Sequence, residues 1–335
     1  MKSCAIYYPY IEVPRNSWFT RVLLYWDEVG AIVPSEYIYD PQQLGTYMRE
    51  LVKEQLVTQL VPGMYLYNLR NFATSFIQHL DKVYRRHPFQ YRIPWVKVHM
   101  EKLREVGDML VERDLARENP DDSGVWYEVE PRTANLFMAY LAAVLGQLVS
   151  GDRYYPITEN ERLLNPFIPH GTFKKEANVA RKVILEGVLP SPTSAIQPGR
   201  LAEFKAKYGR ELKAFRREIE KQVSEIATIE NEDARIYRLD HTKGDLQEMV
   251  EEISSRMTEE KKWPTVTFGD FCAIAGSAVS GYKAILDKDL AFGLVAAGFG
   301  LAPAVFNAFK GSSVTLEDKP LAYAAIARRQ FATKS

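Results

Sequence analysis

The chain has 335 residues, 46% hydrophobic and 26% charged, which excludes extensive disorder and supplies apolar surface for two or three packed units. Its 43 basic and 43 acidic residues cancel, so no global field draws it to nucleic acid or an anionic membrane. Cys4 and Cys272 lie far apart in sequence, which fits two buried thiols in a reducing compartment better than a disulfide staple, and no Cys or His spacing suits a metal.

The N-terminal MKSCAIYYPYIEVP lacks the apolar run of a signal peptide, so the expected location is the cytoplasm. Within it, Cys4 to Tyr10 is dense in Ile and Tyr and reads as a short buried strand that Pro9 and Pro14 end. Asn16 or Ser17 caps a helix over Trp18 to Val29, with Gly30 as its C-cap, and Ala31 to Pro34 is a second strand. Strand, helix, strand predicts a parallel pair. Asp40 and Pro41 open a helix over Gln42 to Leu56, and another covers Tyr67 to Val83. Val96 to Leu103 fits either a strand or a helix start, and Val106 to Glu118 reads as helical. Asn119 to Gly124 is a turn, WYEVEP is a strand that Pro131 ends, and Thr133 to Leu148 is a central, apolar helix.

Ser150 to Gly171 is rich in Pro, Asn and Gly and reads as a long connection. Beyond it, Leu201 to Glu230 is a charged helix with a narrow stripe of Phe204, Leu212, Phe215 and Ile219, and Asp245 to Glu260 is a second amphipathic helix able to pair with it. Alternating signs between Lys205 and Lys221 fit a solvated helix with side-chain ion pairs better than a nucleic-acid surface. The expected class is α+β and mostly helical: an N-terminal α/β and helical domain over 1–150, a connecting segment over 151–200, and a helical domain over 201–335 that ends in an apolar hairpin.

That hairpin has two uncharged arms, Phe271 to Tyr282 and Leu290 to Phe309, about a turn at Asp287 to Asp289. A spanning helix needs about 20 apolar residues, and the second arm reaches that length only by including Pro303 and Asn307. A buried hairpin is the stronger expectation, with Leu290, Phe292, Leu294, Phe299 and Phe306 as the surface it would show to a partner protein, a second copy or a membrane.

For chemistry, no phosphate-binding glycine loop, dinucleotide fingerprint, nucleophile elbow or metalloprotease motif is present, and no cofactor is implied. The five histidines are isolated in sequence and read as surface or capping residues. Tyr7, Tyr8, Tyr10, Trp18, Tyr25 and Trp26 form an aromatic cluster suited to core packing and able to line a pocket. An enzyme site acting on a small molecule or nucleic acid would lie where the N-terminal strands end, from Tyr7, Tyr8 and Asp27 with Thr158 and Glu159 supplied by the central segment. The competing expectation is a non-enzymatic interaction or effector protein that works through the hairpin.

The stretches IYYPYI, LLYWDEVGAIVP, MAYLAAVLG, YPITEN and VLPSP followed by EFKAKYGRELKAFRREIE together resemble an uncharacterised bacterial family, a domain of unknown function, over most of residues 4–225. The resemblance implies a bacterial source and an accessory role in antiphage or stress response, and assigns no catalytic residue. The family pattern places an Asp after the Thr of the central segment; here Thr158 is followed by Glu159, a carboxylate with a different reach.

Overall fold

A computed structural model describes residues 3–86, 94–118, 125–149, 154–159, 172–192, 196–259 and 319–331. The protein is α+β and mostly helical, and it divides into two units, Met1–Gly171 with Ser194–Phe204, and Thr172–Thr193 with Lys205–Ser335.

The first unit is organised by a parallel sheet. Strand β1 (Cys4–Tyr7) leads through α1 (Ser17–Tyr25) to β2 (Glu28–Ile32), which pairs parallel to β1 with Cys4 opposite Glu28. The 3-10 turn Pro41–Gln43 and α3 (Thr46–Lys53) follow the short α2 (Glu36–Tyr39) and lead to β3 (Val57–Leu60), parallel to β2. Much later β7 (Tyr154–Ile157) joins the other side of β1, so the order is β3-β2-β1-β7. Segment 150–171, expected to be a connection alone, thus supplies an edge strand.

Of the two expected caps, Asn16 or Ser17, it is Asn16 that caps α1, its Oδ1 accepting from Phe19 N at 2.9 Å. The helix ends earlier than expected, because Trp26 is already extended and Glu28 begins the strand. Gly30 is therefore inside β2 and not at a helix C-terminus. A methyl group there would collide with the Leu60 side chain, so this glycine is fixed by close packing between β2 and β3.

A second, antiparallel sheet has the order β4-β6-β5, made of β4 (Val96–His99), β5 (Ala116–Glu118) and β6 (Trp126–Val129). Between β4 and β5 run α6 (Met100–Leu103) and α7 (Glu105–Val111). Val96 to Leu103, which suited either state, is a strand that turns directly into a helix. The helix predicted to reach Glu118 stops at Val111 instead, and its tail pairs with β6.

Helix α8 (Pro131–Leu148) is the apolar centre expected of it, lying against β1 and β7. Gly146 lets it approach, since a methyl group there would strike the Tyr154 carbonyl. Its first turn is capped by Glu130, only 1% exposed, whose carboxylate accepts from Thr133 N (2.6 Å), Thr133 Oγ1 (2.8 Å) and Tyr84 Oη (3.0 Å). Cys4, Ile6 and Tyr8 face the core that α8 shares with α5 (Phe72–Arg86), where Phe76 and Phe137 meet edge to face at 5.2 Å. Between β3 and α5 lies the short α4 (Pro62–Leu66).

The second unit is helical. Helix α9 (Thr172–Val188) packs along α11 (Gly209–Ala227) and α12 (Glu232–Glu259), and a last helix, α13 (Ala322–Phe331), packs on α12 and α11. The charged helix predicted over Leu201 to Glu230 is interrupted at Tyr208, where α10 (Pro198–Lys207) gives way to α11. Its predicted stripe does the burying: Phe204, Leu212, Phe215 and Ile219 are buried, as is Val223, and Phe215 stacks on Tyr323 at 5.7 Å. Helix α12 begins well before the predicted Asp245, because Asn231 caps it by accepting from Ala234 N. Arg181 grips Glu220 with two bonds of 2.6 and 2.7 Å, and Arg328 donates to the terminal carbonyls of α9 at Gly187 and Val188.

Candidate active site

The C-terminal ends of the parallel strands are where ligand sites form in such sheets, and the sequence-predicted residues divide between the two ends. Tyr7 and Tyr8 close β1, and Thr158 and Glu159 follow Ile157, which is paired with Tyr7, so these four share one end. Asn16 Nδ2 donates to Glu159 Oε1 at 2.9 Å, tying the start of α1 to the exit of β7.

Asp27 is at the other end. Its backbone N donates to Ser3 O at 2.9 Å and its Oδ2 accepts from Ser3 N at 2.8 Å, so it clasps the N-terminal ends of β1 and β2. With β2 starting at Glu28 and paired in register with Cys4, the residue before it cannot reach the exit of β1. The five predicted residues therefore share no cleft.

Nor are the tyrosines poised as bases. Each is 2% exposed. Burial pushes the Tyr7 hydroxyl well above the usual tyrosine range, with Tyr10 and Glu159 adding to it, and burial alone does the same to Tyr8. Their neighbouring positions send them to opposite faces, Tyr7 towards Trp18 and Phe19 and Tyr8 into the core with α8. The predicted surface residues Leu290, Phe292, Leu294, Phe299 and Phe306 lie outside the described residues. Among the described residues no helix is long and apolar enough to cross a membrane, and no group of three His, Cys, Asp or Glu is placed to hold a metal ion.

A cleft of about 190 Å³ does open beside the exit of β1, between the segment Pro9 to Ile11, strand β4, helix α6 and the first turns of α8. Of the six aromatic residues noted in the sequence, Tyr10 lines it. Val98, Trp126 and Met138 contribute apolar lining, which also holds Lys97, His99, Lys102 and Asn135 and, among the described residues, no acidic one.

Lys102 is the unusual member. Helix α6 has only four residues, and it turns the lysine inward next to the fully buried Leu103. The side chain is 3% exposed, and burial, the sole cause, pushes its amine down to about 7. No hydrogen bond or ion pair reaches it from another described residue. A substantial share of this amine is neutral at neutral pH, the form that acts as nucleophile or base.

His99 holds the start of the same helix. Its Nδ1 accepts from Glu101 N at 3.2 Å, which leaves the proton on Nε2, and Nε2 lies 3.6 Å from Glu36 Oε1, too long for a hydrogen bond. Burial holds its pKa below the usual histidine value, with Lys102 acting in the same direction and Glu36 and Glu101 opposing. The ring meets Trp126 edge-on at 5.0 Å. A capping role, as expected of the isolated histidines, is what the geometry gives it. Glu101 completes the anchorage: its Oε2 accepts from both Ser35 N (2.7 Å) and Ser35 Oγ (2.9 Å) just past the exit of β2. Lys102 is thereby fixed at the C-terminal edge of the sheet by residues that do not touch its amine.

Sequence reasoning missed Lys102 because a lysine in HMEKLREVG has the look of a solvated helix start. The available signal was the three-residue spacing of His99 and Lys102, which places them on one face of a turn, directly after two alternating valines at Val96 and Val98. No family model, no curated protein and no solved structure matches the chain.

Proposed function

We propose that the first unit is an enzyme acting on a small molecule held in the cleft beside β1, with the Lys102 amine as its reacting group. The observation that carries this reading is a buried lysine, without a hydrogen bond or ion pair among the described residues, in the lining of a cleft at the strand exits. Burying an ammonium without a partner costs stability, and perturbed groups of this kind gather at functional sites. The cleft volume of about 190 Å³ suits a small molecule.

His99, Glu101 and Ser35 act as positioning residues: they cap and tether α6, and so hold Lys102 in the cleft lining. Asn135 supplies an amide in the same lining, able to orient a ligand oxygen.

Trace acetylation of the folded protein with acetic anhydride, carried from acid to alkaline pH and read by peptide mass spectrometry, tests this. Lys102 should reach half its maximal reactivity near pH 7, whereas the exposed lysines keep gaining reactivity up to the ordinary lysine range of about 10.4. A Lys102 that stays unreactive at every pH at which the protein is folded would overturn the proposal.

A further inference from the structure

Resting on that reading, the chemistry of the cleft wall narrows the substrate. No hydrogen bond or ion pair from another described residue holds the amine, and Val98, Trp126 and Met138, which line the same cleft, carry no group that would compete for it. Of the groups with which a neutral primary amine condenses, a carbonyl carbon is the one that needs no oxidant, reductant or second activated reactant. The product is an imine that takes up a proton, and here a difficulty arises. Among the described residues the cleft lining contains no carboxylate to balance an iminium cation, and an unpaired charge in such a place is costly. A substrate that carries its own carboxylate next to the carbonyl removes the difficulty, and the Asn135 amide, which bonds to no other described residue, can donate to that carboxylate.

We infer that Lys102 forms an imine with the carbonyl carbon of a small oxo acid bound in the cleft beside β1. The amine lone pair makes the new C–N bond as the carbonyl π pair moves to oxygen. The C–O bond then breaks and C=N forms, and the two protons lost from nitrogen leave with that oxygen as water. No electrons are gained or lost overall. The substrate carboxylate sits against Asn135 and pairs with the iminium once it is protonated.

The test is reductive trapping. Full-length protein is incubated at neutral pH with pyruvate or glyoxylate and then borohydride, with acetaldehyde as a carbonyl that lacks the carboxylate, and adducts are mapped by peptide mass spectrometry. The expected result is one reduced adduct per chain on Lys102, formed roughly tenfold or more faster than at any other lysine because far more of this amine is neutral. The adduct should be absent in Lys102→Met, retained in Lys53→Met at an exposed lysine of α3 outside the cleft, and weak with acetaldehyde. Label spread over exposed lysines with no preference for Lys102 overturns the inference. Equal trapping of acetaldehyde overturns the oxo-acid assignment. A Lys102 that acetylates near pH 7 yet traps neither oxo acid sinks the imine and leaves the cleft reading standing, whereas failure of both reactions sinks both.

Discussion

At the N-terminal ends of the parallel strands, Glu28 Oε1 accepts from Thr58 Oγ1 at 2.6 Å and from Tyr154 Oη at 2.7 Å, and Asp27 is clasped by Ser3. At the C-terminal ends, Lys102 is buried with nothing to offset it among the described residues. Both ends hold ionisable groups in the same unit, around the same sheet. One end spends them on joining strands β3, β2, β1 and β7 into a sheet, and the other leaves a charge unanswered at the edge of a cleft. The contrast teaches that the number of polar groups does not mark a site; what marks it is a polar group whose environment is worse for folding than a simple apolar substitute would be.

Substitutions can break this contrast, and the largest expected effect is at Lys102. Its folded amine titrates near 7 and its unfolded one near the ordinary lysine value of about 10.4, so between the two the unfolded state holds the extra proton and stability rises with pH. Below about pH 7 both states are protonated and the full penalty applies. Lys102→Met, similar in volume and uncharged, should therefore stabilise the protein by about 4 kcal/mol at neutral pH, at about 1.4 kcal/mol per pH unit of displacement. In urea unfolding, this gain should shrink steadily as the pH is raised towards the free-lysine value. A gain independent of pH would mean that the amine is not the source of the cost.

At the other end the sign reverses. Glu28→Ala removes the acceptor shared by the hydroxyls of Thr58 and Tyr154 and should cost about 2 kcal/mol in the same assay. If that substitution is neutral, the N-terminal end is as loosely satisfied as the other and the contrast fails.

The next effect sharpens the comparison. Arg104, which ends α6, has φ 51 and ψ −135, a conformation in which a residue other than glycine is strained. Arg104→Gly should raise the thermal midpoint by an amount equivalent to about 1.5 kcal/mol while leaving the pH at which Lys102 acetylates unchanged. An altered Lys102 titration would show that the strained turn sets the amine's surroundings. The smallest effect is expected at Asn16→Ala, which removes the cap of α1 and the tie to Glu159 for about 1 kcal/mol, detectable by urea unfolding.

The sheet was partly legible from residue types. Pro9, Asn16 and the helical spacing of Phe19, Val22 and Leu23 announce strand, helix, strand, and the parallel pairing follows from the length of the crossover. Gly30 was misleading because a glycine demanded by a neighbouring leucine looks the same in sequence as one demanded by a helix end. Asp27 precedes the second strand whichever way Gly30 is read, and pairing holds it at the strand entrances. Strand β7 stayed hidden because YYPI carries a proline and lies in a loop-like stretch; as an edge strand it tolerates Pro156. Lys102 stayed hidden for a different reason. Burial of a lysine is decided by which distant residues surround it, and no local pattern records that Pro9 to Ile11 and the start of α8 wall in the end of α6.

Ser35 and Glu101, whose two bonds tether α6, lie 66 residues apart. A four-residue helix has no stability of its own, so in an unfolded chain, or in a fragment that begins after β2, Lys102 is an ordinary solvated lysine. Its acetylation at neutral pH then serves as a chemical reporter of long-range assembly: the fraction of chains labelled quickly at this one position is the fraction in which strand β2 and helix α6 have found each other.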